Sequence, residues 1–197
     1  KNLSYIEVNS RLMPYIGQDD YYNIINSSVF DKKEKVNNNF LRKFEFSGQY
    51  NNNLFDEVDK YAIVAGTIAK DNSFDIIHAH DWLTYKAGVI AKKISNKPLV
   101  IHVHATEFDR SGENINKDVY DVEKYGMDNA DKIITVSNLT RNTVINKYHQ
   151  KEDKVITVYN GIVSKEKILD KTKNPFNKKI VTFLGRVTFQ KGPDYFV

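Results

Sequence analysis

Two pairs of histidines have the spacing that most suggests chemistry in this chain of 197 residues. His78 and His80 lie two positions apart, and so do His102 and His104. Residues two apart on a β-strand share a face, so each pair would present two imidazoles on one side of a sheet. A neutral imidazole can donate to or accept from a sugar hydroxyl, and it can also ligate a metal ion.

A metal site would need further ligands, and the carboxylates of Asp81 and Glu107 follow the two pairs at the strand ends. No dense cluster of further carboxylates completes such a set, so hydrogen bonding to a ligand is favoured over metal ligation, while Asp81 and Glu107 keep a metal site open. The alternative, a metal-dependent hydrolase built on the two His-x-His pairs, stays open on the sequence alone. A histidine that lies inside a strand can also be a hydrogen-bonded core residue, which is the simplest interpretation of His78 and His102.

A second group of residues, Gly185, Arg186 and Lys191, has the chemistry of a phosphate site. The glycine would let the backbone approach a ligand, and the forked guanidinium and the ammonium would bind its charge. A helix that begins near Gly192 would add N–H groups and the positive end of its dipole. Taken alone, this pattern is also common on ordinary protein surfaces.

Alternating strands and helices must position these residues. Short apolar runs predict strands at 74–79, 99–103, 132–136, 155–158 and 179–184, and helical spacing predicts helices at 54–70, 83–94 and 137–148, with another ending near residue 129. Ser137 is the expected N-cap of the helix at 137–148. Ligands of an open parallel sheet bind beyond the carboxyl ends of its strands. The polar residues at those ends are therefore the candidates, and Asn160 and Gly161 after the fourth strand join them.

The predicted fold class is α/β, with a parallel sheet flanked by helices. The strands are uniformly apolar rather than alternating, which predicts helices on both faces of the sheet. We expect one domain at 1–161, a polar linker at 162–178, and the first strand of a second α/β domain at 179–197. His149, at the end of a predicted helix, is expected to be solvated.

Composition excludes several classes of protein. The chain has no cysteine, which removes disulfide scaffolds, thiolate metal sites and cysteine nucleophiles. It has 29 basic and 25 acidic residues, and these are interspersed, so we expect no nucleic-acid partner. No apolar run approaches the length of a membrane span, and no signal peptide opens the sequence. The expected location is the cytoplasm.

Five motifs together resemble family 4 of the retaining glycosyltransferases, the group that includes glycogen synthase-like and sucrose synthase-like enzymes. They are 74–82 (FDIIHAHDW), 98–112 (PLVIHVHATEFDRSG), 130–137 (ADKIITVS), 158–161 (VYNG) and 185–192 (GRVTFQKG). The resemblance runs from about residue 55 to the end of the chain. It implies the GT-B architecture, in which two Rossmann-like domains face a cleft, with 1–161 as the N-terminal, acceptor-side domain.

The resemblance also implies roles for single residues. His104 would be the catalytic residue that lines the cleft beside the donor sugar. A set of residues would bind substrate, with Glu107 and Arg110 on the acceptor side: His80, Asp81, Glu107, Arg110, Asn160 and Gly161. Gly185, Arg186 and Lys191 would bind the diphosphate of a nucleotide-sugar donor. The implied partners are that donor and a carbohydrate or glycoside acceptor, with no metal and no other cofactor.

Two features of the family are missing from this sequence: the glycine-rich loop early in the first domain and the pair of glutamates deep in the second. We therefore expect the chain to be the middle of a protein roughly twice as long, and to bind nucleotide sugar weakly or not at all by itself. A non-enzymatic binding module derived from a transferase stays open as a further alternative. The apolar segment 179–184, which has no second-domain sheet to join, could mediate self-association.

Overall fold

The computed structural model describes residues 54–162 and 178–197. Its α-helices are α1 (Leu54–Asp71), α2 (Trp82–Ser95), α3 (Glu107–Ser111), α4 (Lys117–Asn129), α5 (Asn138–Tyr148) and α6 (Pro193–Phe196). Its strands are β1 (Ile77–His80), β2 (Leu99–Val103), β3 (Lys132–Thr135) and β4 (Val155–Thr157), and 3-10 turns cover Glu152–Lys154 and Phe189–Lys191. The predicted α/β class is confirmed, while α3 falls in a stretch for which the sequence predicted no helix.

The four strands form one parallel sheet in the order β1-β2-β3-β4. Parallel neighbours need a crossover between them, which α2, then α3 with α4, and then α5 provide. The register places His80 beside His102, and it places Ile101 beside Ile133. All four carboxyl ends therefore lie at one edge of the sheet, as the sequence predicted.

Within the described residues, only one face of the sheet is buried. Side chains such as Leu99, Ile101 and Ile133 are fully buried on that face. On the opposite face His78 and His80 are exposed, and Ile156 remains 48% exposed. Each described strand alternates between a buried and a more exposed side. The described helices cover the buried face, and helices on the opposite face stay a prediction.

Close packing around α2 fixes the helical layer. A Cβ atom built on Gly126 of α4 would lie 2.5 Å from the Tyr85 Cβ on α2. A Cβ built on Gly66 of α1 would lie 2.7 Å from Ile90 Cγ2, also on α2. Both distances are too short for a real side chain, so glycine at these positions allows α1 and α4 to approach α2 closely.

Local capping sets the ends of the helices. The Ser137 hydroxyl accepts from the Thr140 N–H and caps α5, as predicted. Asn96 ends α2 in the left-handed conformation, two residues before Pro98. His149 ends α5 in the same conformation and is exposed, which agrees with the prediction that it is solvated.

The predicted strand at 179–184 does not form. Those residues have no regular structure, and Val181 and Leu184 are 79% and 98% exposed. A strand needs a neighbour to pair its N–H and C=O groups, and none lies beside this segment in the described parts of the chain. The helix predicted after Gly192 does form, with Pro193 in its first turn.

Other sequence-based predictions fall on residues 1–53 and 163–177, which lie outside the described ranges. They include the start of the first domain and nearly all of the linker. Within the described ranges, no helix has both the length and the apolar character that a bilayer crossing requires.

Candidate functional site

The carboxyl ends of β1 and β2 bring His80 and His104 into contact. The His80 Nδ1 and the His104 Nε2 are 2.9 Å apart, so one ring donates a hydrogen bond to the other. Both side chains are exposed. Adjacent parallel strands and the two-residue spacing of the histidines produce this contact, and the sequence predicted that both imidazoles would lie at this edge.

Asp81 links the two strand ends through its backbone and its side chain. Its N–H donates to the His102 carbonyl at 3.0 Å, and its Oδ1 accepts from the His104 N–H at 2.9 Å. The residue adopts φ 58° and ψ 166°, a conformation rarely seen outside glycine. It precedes α2, but its side chain makes no hydrogen bond to that helix. The carboxylate instead fixes the backbone of His104.

The histidine environment favours neutral imidazoles. The pKa of His80 is lowered by burial and by the neighbouring His78 and His104. The pKa of His102 is lowered further, to about 4, by burial and then by His104, His80 and His78. At neutral pH these two rings therefore carry no charge, and neutral rings suit either hydrogen bonding to hydroxyl groups or metal ligation.

Three of the imidazoles also meet one requirement of a metal site. Nitrogen atoms of His78, His80 and His102 all lie within 4.8 Å of one another. Both ring nitrogens of His102 are buried and have no hydrogen-bond partner among the described residues. The His78 and His102 rings stack with centroids 5.4 Å apart. His102 is therefore not the hydrogen-bonded core residue that the simplest interpretation of the sequence predicted.

Glu107 and Arg110 follow the carboxyl end of β2, but their side chains bind each other. Glu107 is only 4% exposed, and its carboxylate accepts from Arg110 Nε at 3.0 Å, Ser111 Oγ at 2.6 Å and the Asn116 N–H at 3.0 Å. Burial would raise the pKa of Glu107, but these hydrogen bonds outweigh it and lower the pKa. Both residues lie beside the candidate site, and their predicted contact with an acceptor stays a prediction.

Sequence reasoning missed Glu123 and Tyr148, which complete this buried group. The Glu123 carboxylate accepts from Arg110 Nη2, from the Tyr148 hydroxyl and from the Glu107 N–H. The spacing of α4 contained the signal: Glu123 falls in its buried stripe, with Val119, Val122 and Met127. A glutamate in such a stripe needs polar partners, which the sequence alone does not identify.

The remaining candidates lie elsewhere. Asn160 and Gly161 are exposed beyond β4, at the far side of the sheet from β1. Gly185, Arg186 and Lys191 belong to the separately described segment 178–197 and are exposed. That segment contacts the first part of the chain where the Phe189 ring meets Gly112, at the end of α3.

The fold and the candidate site together define the structural class of this protein. The protein is a Rossmann-like α/β protein whose polar residues gather at the carboxyl edge of a parallel sheet, the usual ligand-binding edge of such folds. Residues 52–166 match Glycosyltransferase Family 4, so the chain belongs to that family, as its motifs predicted. The sheet and its helices agree with one Rossmann-like domain of the GT-B architecture.

Several characterised and uncharacterised proteins are similar to the chain. An uncharacterized glycosyltransferase of Methanocaldococcus jannaschii is 28% identical over 92% of this chain and 48% of its own length. An alpha-maltose-1-phosphate synthase of Mycolicibacterium smegmatis is 30% identical over 62% of this chain and 36% of its own. A glycogen synthase of Mycobacterium tuberculosis is 25% identical over 60% and 30%. The chain thus spans about half or less of these relatives.

Proposed function

We propose that this chain is part of a retaining glycosyltransferase, with residues 1–161 as its acceptor-side domain and residues 179–197 as the beginning of its donor-binding domain. The enzyme would transfer a hexosyl group from a nucleotide-diphosphate sugar to a carbohydrate or glycoside acceptor. The bond from the anomeric carbon to the diphosphate breaks, and a bond to the acceptor oxygen forms. The acceptor hydroxyl loses its proton, and the nucleoside diphosphate leaves. The observation that carries the proposal is the His80–His104 contact at the carboxyl edge of a Family 4 sheet.

In this proposal His104 is the catalytic residue. Its imidazole lies at the exposed strand end, and its backbone N–H donates to Asp81 Oδ1, so the ring projects from a fixed backbone toward the donor sugar. His80 and Asp81 would bind substrate beside it, with Glu107 and Arg110 on the acceptor side. Asn160 and Gly161, beyond β4, would bind substrate farther along the same edge of the sheet. Two relatives, the alpha-maltose-1-phosphate synthase and the glycogen synthase, bear names that fit transfer to a sugar or glucan acceptor.

Gly185, Arg186 and Lys191 would bind the diphosphate and stabilise the charge that develops on the leaving group. Both cations are exposed and flank a glycine and a helix start. The proposal includes no metal, because these cations would supply the positive charge. It also includes the expectation that the 197 residues alone bind donor weakly and do not turn it over.

The decisive experiment uses the protein that contains this chain and a panel of nucleotide-diphosphate sugars. We expect His104→Ala to lower kcat by about 10²–10³-fold, the typical effect of losing one preorganised contact to the transition state. His149→Ala, at the exposed end of α5, is the matched control and should leave kcat unchanged. Transfer that survives His104→Ala intact would remove His104 from the reaction. Inverted configuration in the product would overturn the retaining mechanism.

One observation favours a second candidate, a metal-dependent hydrolase: the grouping of His78, His80 and His102. Elemental analysis of the purified protein separates the two functions. Stoichiometric zinc, together with hydrolysis that a chelator abolishes, would favour the hydrolase. Transfer activity unchanged by chelator would favour the transferase. Binding of a nucleotide sugar with no turnover by the complete protein would favour a non-enzymatic module.

A further inference from the structure

The buried carboxylate of Glu123 is the hub of a polar network that adjoins the turn after β2. Glu123 is 1% exposed and Tyr148 is fully buried. The Glu123 Oε2 accepts from the Glu107 N–H at 3.0 Å and from the Tyr148 hydroxyl, and its Oε1 accepts from Arg110 Nη2. One side chain of α4 thereby joins α3 and the end of α5.

The network continues from Arg110 to the residue next to His104. Arg110 Nη1 donates to the Ala105 carbonyl at 3.2 Å, and Arg110 Nε donates to Glu107. On the other side, the His104 N–H donates to Asp81 at 2.9 Å. The turn that carries His104 is therefore tied to Asp81 at its start and to the Glu123 network immediately afterwards.

A role in packing alone does not account for Glu123. Its neighbours in the buried stripe of α4, Val122 and Met127, are apolar, and an apolar residue would fill the space without a desolvation cost. Burial raises the pKa of Glu123, and the charge of Arg110 and the Tyr148 hydrogen bond oppose that rise. A carboxylate kept at this position, with three donors directed at it, is suited to fixing the backbone around it.

We propose that Glu123 is a positioning residue that, through Arg110 and the Glu107 amide, fixes the turn at residues 104–107 and so holds the His104 imidazole in its working position. Glu123 itself would touch neither donor nor acceptor. The inference rests on the proposed function, because it takes His104 as the group that acts on the sugar.

The test is Glu123→Gln in the protein that contains this chain. Glutamine keeps the size of the side chain and one acceptor oxygen but removes the charge that binds Arg110. We expect kcat to fall by up to about 100-fold, the scale of a small misplacement of a reacting group, while the donor KM changes little. Asp121→Asn makes the same charge change on the exposed side of α4 and should leave kcat unchanged.

A double variant separates positioning from general destabilisation. If Glu123 acts through His104, adding Glu123→Gln to His104→Ala causes no further loss of kcat. Losses that multiply would overturn the proposal. So would a Glu123→Gln enzyme with unchanged kcat. If Glu123→Gln does not fold, Tyr148→Phe serves instead, because it removes one donor to Glu123 and keeps the ring stacked on Tyr120.

A readout without activity distinguishes failure of this inference from failure of the proposed function. In Glu123→Gln, but not in Asp121→Asn, we expect faster hydrogen exchange at the Glu107 amide and shifted NMR signals of the His104 ring. Unchanged exchange and unchanged signals would overturn the positioning role. No transfer by the unaltered protein with any donor would overturn the proposed function and leave these two measurements to decide the role of Glu123.

Discussion

At the scale of single residues, Asp81 has a strained backbone conformation that places its carboxylate at the carboxyl ends of β1 and β2. A non-glycine residue near φ 58° and ψ 166° carries strain of about 1–3 kcal/mol. The conformation allows the Asp81 N–H to continue the hydrogen bonding of β1 to His102 while its Oδ1 meets the His104 N–H. Strain of this kind persists where the surrounding contacts determine the geometry, and here they fix the backbone of the candidate catalytic histidine.

His102 makes stability depend on pH. Its pKa falls from 6.5 to about 4 in the folded protein, so between these values the unfolded chain binds more protons than the folded one. Folding stability therefore decreases as the pH falls through this window. We expect the urea midpoint of unfolding to decrease from neutral pH to about pH 5, and we expect His102→Gln to show a smaller decrease.

His149→Gln is the control for this measurement, because His149 is exposed at the end of α5. It should show the same decrease as the unaltered protein. An identical decrease in His102→Gln and His149→Gln would show that His102 does not cause the pH dependence.

At the scale of elements, the contact between α2 and α4 depends on a missing side chain. Tyr85 on α2 is 1% exposed, and its ring carbons Cγ and Cδ2 would lie 2.8 and 2.7 Å from a Cβ on Gly126. Tyr85 is enclosed by the core, so it has little room to move aside. The same contact sets where α4 presents Glu123 to the turn after β2.

Gly126→Ala should therefore destabilise the protein by about 1–3 kcal/mol, the usual cost of overpacking a core. This would occur although alanine in a helix interior is intrinsically better than glycine by about 0.5–1 kcal/mol. Urea unfolding measures the change. Gly161→Ala is the comparison, because a Cβ there meets nothing within 4 Å, and it should be nearly neutral. A Gly126→Ala protein as stable as the unaltered one would mean that α2 and α4 can separate freely.

At the scale of the whole molecule, two of the regions where the described residues leave apolar side chains exposed are relevant to self-association. One is the histidine face of the sheet, where Ile156 is 48% exposed. The other is the segment predicted as a strand, where Val181 and Leu184 project almost entirely into solvent. Exposed apolar residues on an unpaired segment can pair with another chain, so self-association through residues 179–184 stays a prediction.

Light scattering after size exclusion tests that prediction on the 197-residue chain. We expect an oligomer that the double substitution Val181→Asp and Leu184→Asp converts to monomer. The thermal midpoint should change little, because neither side chain is buried. A matched pair, Asp121→Asn and Glu113→Gln, alters exposed charges elsewhere and should leave the oligomer intact. A monomeric unaltered chain at high concentration would contradict self-association.

The local sequence pattern was sufficient to predict most helices and strands, but not the side-chain contacts between residues distant in the chain. The run at 99–103 and the Ser137 cap appear as predicted, because apolar periodicity and capping chemistry act within a few residues. The same local reasoning predicted a strand at 179–184. That strand does not form in the described structure, because no described strand lies beside it to pair with. Local reasoning also placed Glu107 and Arg110 together but did not predict that they would bind each other, since the distant Glu123 decides that arrangement.

The sequence by itself determined the α/β class, the family and the edge at which the chemistry gathers, because strand length, spacing and motif order are properties of neighbours along the chain. Only the tertiary structure decided that His80 and His104 touch and that a glutamate of α4 supports the turn after β2. It also decided that the buried His102 nitrogens find no hydrogen-bond partner within residues 54–162 and 178–197. Those facts depend on strand register and helix packing, which bring together residues that lie 16 to 25 positions apart in the chain.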